Sequence, residues 1–171
     1  NINGTPVIAT AGNVIHTWDA DINFVNVTDV NGGAPDVPIR EIAVGEMGGN
    51  ADRLVIARET DLASTNIFVQ IYEATTLTNL HNPGPHANIG NATGLTLGDF
   101  DSTLPGREIG IGTTDLATLN KSPGFQLYVR GDNGNWLGQQ PLNQPISDVA
   151  SGDLVPGVNS DEMILTGNIG G

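Results

Sequence analysis

The 171-residue chain carries 19 acidic against 6 basic residues, a formal net charge of −13. That balance repels nucleic-acid phosphates, which are recognised largely by Lys and Arg, and disfavours anionic membrane surfaces. The lack of cysteine excludes disulfides, thiolate metal sites and a cysteine nucleophile, and no apolar run approaches the roughly 20 residues of a membrane-spanning helix. Glycine (23) and proline (10) are abundant and aromatics are few, a mixture of short strands and tight turns. No window shows a helical apolar stripe.

In chain order, the first predicted strands are TPVIATAG (5–12), NVIHTWDAD (13–21) and INFVNVTDV (22–30). A second group follows: IAVGEM (42–47), DRLVIAR (52–58), NIFVQIYEA (66–74) and the weaker TTLTNL (75–80). The third is LTLGDF (95–100), REIGIGT (107–113), GFQLYVRGD (124–132) and NWLGQQPL (135–142). The last is VASGDL (149–154) and DEMILTG (161–167). Many of these runs alternate apolar and polar residues, the period of a half-buried strand. The pairs Gly45-Glu46, Gly98-Asp99 and Gly152-Asp153 recur 53 and 54 residues apart. The chain therefore reads as a repeat of four strands, A-B-C-D. The first copy lacks strand A and the last holds only A and B. In a second register, residues 27–45 form another A-B hairpin, which would shift the first unit.

Repeated four-stranded units predict an all-β fold: a β-propeller-type array of antiparallel blades, about three in number, within one domain spanning 1–171. The approximate repeats are 1–41, 42–94, 95–148 and a partial 149–171. A β-prism or trefoil also accommodates three repeats. A partial array leaves blade edges and faces uncovered, and these drive self-association.

The stretch LTLGDFDSTLPGREIGIGTTD, followed by FQLYVRGDNGNWL, resembles FG-GAP/VCBS-type repeats of integrin-like β-propellers. The match is clearest over 95–137, looser over 42–74 and 149–167, and confined to strand pattern over 5–30. The resemblance implies a propeller of extracellular or cell-surface proteins: adhesion molecules, lectin-like carbohydrate binders and accessory domains of secreted enzymes. It also implies calcium in the A-B loop, with Asp99 and Asp101 opening the site and Glu108 closing it.

Calcium takes six to eight oxygens. Between Asp101 and Glu108 stand Ser102, Thr103, Leu104 and Pro105, where more acids would be expected. The competing expectation is that these carboxylates bind backbone amides and close a tight turn. The other two turns offer Glu46, Asn50 and Asp52, and Asp153, Asn159, Asp161 and Glu162. Trp18, Trp136, Tyr72 and Tyr128 suit stacking on sugar faces, Trp136 best because it stands beside Asn135 and Gln139; the competing and favoured expectation is that these aromatics fill the space between blades. Arg130-Gly131-Asp132 reads as hairpin chemistry ahead of Asn133-Gly134. His81 and His86 are expected in a surface connection over 78–94. His16 falls mid-strand and carries no expected role. Asn3, Asn26, Asn91 and Asn120 head glycosylation triplets.

No nucleophile elbow, zinc-protease helix or phosphate-binding loop is present. The acids fall at repeated turn positions, which suits a structural rule better than one active site. The expected role is non-catalytic: an extracellular structural or adhesion module that associates with other subunits, by self-assembly into an oligomer or filament. The alternative is a lectin-like propeller.

Overall fold

A computed structural model describes residues 7–11, 14–19, 24–29, 39–48, 52–59, 67–74, 76–81, 85–86, 92–113, 124–128, 136–141 and 146–167. These residues form fourteen strands and no helix. All pairings are antiparallel and fall into four sheets. Sheet 1 is the meander β1 (Val7–Ala11), β2 (Val14–Asp19) and β3 (Phe24–Asp29). Sheet 2 runs β4 (Ile39–Glu46), β5 (Asp52–Glu59), β6 (Ile67–Glu73) and β7 (Asn79–His81), with β8 (Pro85–His86) also paired to β6. Sheet 3 runs β9 (Ala92–Gly98), β10 (Glu108–Thr113), β11 (Gly124–Tyr128) and β12 (Trp136–Pro141). Sheet 4 is the hairpin β13 (Ile146–Gly152) and β14 (Glu162–Gly167).

Each of the last three sheets thus opens with an A strand followed by its B strand. Sheet 1 holds three strands, at the positions the sequence gives to B, C and D. β3 pairs with β2, and β4 with β5; among the described residues β3 and β4 are not paired with each other. One expectation is corrected. His81 and His86 are not in an unstructured connection. They fall in β7 and β8, opposite Ile71 and Ile67 of β6.

The sheets stack face to face, because one sheet cannot bury both of its own faces. Leu54, Val55, Ile56 and Ala57 form an unbroken apolar run in β5, and all four are fully buried. Their alternation sends Leu54 and Ile56 to one core and Val55 and Ala57 to the other. The first core joins Ile15 of sheet 1 to Ile39, Leu54, Ile56, Tyr72, Ala74 and Leu77 of sheet 2. The second joins Val55, Ala57, Val69 and Ile71 of sheet 2 to Leu95, Leu97, Ile109 and Ile111 of sheet 3. Each fully buried Ile, Leu or Val contributes about 1.5–3 kcal/mol relative to exposure.

Sheets 3 and 4 meet by a different device. Sheet 3 presents glycines, and sheet 4 sets side chains into the space above them. A methyl group at Gly94 would stand 2.5 Å from the backbone nitrogen of Val149, and one at Gly110 would stand 2.3 Å from Met163 Cε. Neither position accepts a Cβ without movement. Hydroxyls fasten the same seam: Thr93 Oγ1 donates to the Ile146 carbonyl at 2.7 Å, and Ser151 Oγ donates to the Leu97 carbonyl at 2.8 Å. The A strands β4, β9 and β13 consequently lie next to one another in that order, and the A-B turns of sheets 3 and 4 are brought together.

Candidate functional site

The turns after β9 and β13 are built alike. Each runs from a strand-ending glycine to a glutamate that opens the B strand, Gly98 to Glu108 and Gly152 to Glu162, and each pair sits directly across its hairpin. Glu108 Oε2 accepts the Phe100 and Asp101 amides at 2.7 and 3.1 Å. Glu162 Oε2 accepts the Leu154 and Val155 amides at 2.8 and 3.1 Å. A carboxylate that accepts two amides satisfies donors that the reversing chain would otherwise leave unpaired. In the sheet 2 turn, Gly45 lies across from Arg53 rather than a glutamate. That cation cannot accept an amide, and the turn is two residues shorter.

Asp101 serves its own turn. Its Oδ1 accepts the Thr103 amide at 3.0 Å and the Thr103 hydroxyl at 2.5 Å. These two bonds hold the Asp101 carboxyl below the ordinary carboxylate range. Glu108, buried in the hairpin, is pushed the other way. Desolvation raises its carboxyl, the two amide bonds oppose that, and the nearby Asp99 and Asp101 charges reinforce it. Glu41 of β4 is also raised, first by burial and then by the Asp148 carboxylate of sheet 4.

Asp99 links the two turns. Its amide donates to Asp161 Oδ2 at 3.0 Å and its carbonyl accepts the Asp161 amide at 2.6 Å. Asp99 Oδ1 is buried with no hydrogen-bond partner. An open polar depression lies beside it, lined by Asp99, Asp153, Val158, Asn159, Ser160 and Asp161. Among the described residues, no group of three or more His, Asp or Glu side chains is disposed to hold a metal ion. The calcium trio is therefore split in use: Asp101 and Glu108 close the turn, and Asp99 faces the neighbouring turn. For a hard cation, Asp99 Oδ1 is a buried oxygen of this region without a hydrogen-bond partner, and Asp153 lines the same depression.

Asp161 is the residue that sequence reasoning placed in its own turn only. Its partner Asp99 lies 62 residues earlier, in the preceding repeat, and nothing in a single hairpin signals that pairing. Of the proposed glycan residues, Trp136 opens β12 and pairs with Tyr128 of β11; its side chain, like Asn135, lies outside the described residues. So do Arg130-Gly131-Asp132 and the glycosylation asparagines Asn3, Asn91 and Asn120, while Asn26 lies within β3. Tyr72 is buried in the core between sheets 1 and 2, as expected of an aromatic between blades.

Set against known proteins, the chain matches no protein-family model, no curated protein and no solved structure.

Proposed function

We propose that the chain is a non-catalytic structural module of the propeller type, acting outside the cell or at its surface by binding other protein subunits. The observation that carries this reading is a repeated sheet-on-sheet contact. A methyl at Gly45 would stand 3.3 Å from Leu97 of the next sheet, and one at Gly98 would stand 2.9 Å from Ser151 of the sheet after that. At Gly152, the next in the series, no atom of the described residues lies within 4 Å of that position. Sheets that pack on one another through such contacts present faces on which further protein can pack. Among the acids, Asp101, Glu108 and Glu162 hold turns through backbone amides.

Calcium enters this reading as a stabiliser of the Gly98–Glu108 turn through Asp99, Asp101 and Glu108. A cation bound only by the native state raises the melting temperature, and EDTA reverses the rise; an unchanged melting temperature in millimolar calcium removes it. Sedimentation of the chain across the micromolar range tests the main reading. Association is expected, and a monomer throughout would sink self-assembly.

A further inference from the structure

We propose that Glu41 and Asp148 are a proton-sharing carboxyl pair across Gly94, a device that fastens sheet 4 to sheets 2 and 3 more tightly in acid than at neutral pH. The three residues hold one position of the repeat. Each lies four residues before the glycine of its own turn, Gly45, Gly98 or Gly152, on the neighbouring strands β4, β9 and β13. The strands are aligned level by level: Leu97 lies against Gly45, Ser151 against Gly98, and Asp148 and Val149 against Gly94.

The two acids approach Gly94 from opposite sides. Glu41 is half-buried and faces sheet 3: its cross-strand partner Ala57 belongs to the core between sheets 2 and 3, and Ala43 packs against that same core. Asp148 comes from sheet 4, and a methyl at Gly94 would stand 3.0 Å from its Oδ1. Glycine places no side chain between them. Asp148 Oδ1 also accepts the Val149 amide at 2.8 Å, a bond that favours the ionised form. Burial, and then the Asp148 charge, favour the proton on Glu41. Glu41 is thus the member that takes the proton, and Asp148 the member that keeps its charge.

Among the described residues, the other charges on the strands packed here are few and mostly distant. β9 and β1 carry none. Arg40 is exposed beside Glu41. Arg58 lies across from Ile39, and its Nε donates to Gln70 Oε1 at 3.1 Å. Glu59 ends β5 just beyond it. Glu46, Asp52 and Arg53 lie at the turn end of sheet 2, Arg107 and Glu108 at that of sheet 3, and Asp153 and Glu162 at that of sheet 4. Four residues of strand put those ends about 13 Å away, beyond a Debye length in physiological salt.

At neutral pH both groups are ionised on the two sides of one strand, and their repulsion opposes the packing. One proton from water, taken up by Glu41, removes that repulsion. Because the native carboxyl is raised, this stabilisation is complete below the ordinary glutamate range and is lost as pH rises through the raised native value.

The experiment is a carboxyl carbon NMR titration of Glu41 in the 171-residue chain, wild type and variants, with urea midpoints over the same pH range. Glu41→Gln identifies the signal. Wild-type Glu41 is expected to titrate above the ordinary glutamate range. Asp148→Asn, at an exposed position and able to keep the amide bond, should move that titration down and raise the urea midpoint at neutral pH. Asp153→Asn, an acid at the turn end of the same hairpin, should leave the titration in place. On acidification the wild type should gain more stability than Glu41→Gln or Asp148→Asn. A Glu41 titration in the ordinary range overturns the pair. So does a raised titration that Asp148→Asn does not move, which would leave burial as the whole cause. An equal response to Asp153→Asn assigns the effect to the acidic surface at large and overturns the pairing as well. Urea midpoints of wild type and both pair variants that run parallel with pH overturn the device.

Discussion

Sheets 3 and 4 carry the same hairpin in two environments. Their turns have equal length, and each is closed by a glutamate that accepts two amides at nearly the same distances. Yet all six residues of β10 are buried, while in β14 none is. The local chemistry of the turn is thus independent of packing, and burial is conferred by the sheet that comes next. The glycines make the difference concrete. On sheet 3 they let the neighbour approach closely, and at Gly152 the same residue type meets no atom of the described residues within 4 Å.

The largest effect that would break the equivalence is at Gly94. Gly94→Ala must move the backbone of β13, and a loss of about 2–3 kcal/mol is expected, read from the urea midpoint. Should Gly94→Ala prove neutral, the close seam between sheets 3 and 4 is wrong. Next come the turn glutamates. Glu108→Ala leaves two amides without their acceptor in a buried hairpin and should cost about 1–3 kcal/mol. Glu162→Ala exposes its amides to water and should cost under about 1 kcal/mol. Equal losses at both sites would refute the claim that the neighbouring sheet supplies the difference.

A pH titration sharpens the same pair. Because burial raises the Glu108 carboxyl in the folded state, the native protein takes up that proton before the unfolded chain does. Its contribution to stability is therefore greatest below the ordinary glutamate range and falls as pH rises through the raised native value. Between neutral pH and about pH 5, the wild type should gain stability on acidification relative to Glu108→Gln, which has no proton to bind. Parallel urea midpoints for the two proteins would contradict this. The smallest expected effect is Gly152→Ala. With nothing within 4 Å of the new methyl and no positive φ recorded there, the monomer should change by less than about 0.5 kcal/mol.

Much of this fold was legible because period and punctuation agree. The Gly-acid pairs spaced 53 and 54 residues apart mark the ends of the A strands, and alternation in runs such as NIFVQIYEA places them in sheets. The turn role of Asp101 and Glu108 was legible as well, since short acidic side chains beside glycine bind nearby amides. The bond between Asp99 and Asp161 was not, because it depends on how two hairpins stack. Nor were His81 and His86. Pro85 cannot donate to a ladder, and with Pro83 close by, the segment reads as loop. It forms short strands because β6 offers an edge with which they pair.

That last feature bears on aggregation. The outer edge of sheet 2 is not one long strand but two fragments, β7 and β8, of three and two residues. Pro85 withholds an amide from the second. An edge cut this short is a poor template for a strand from a neighbouring chain, which needs a run of unpaired amides to grow a ladder. An acidic, strand-rich protein with few aromatics is then less prone to recruit its copies along that edge into cross-β stacks.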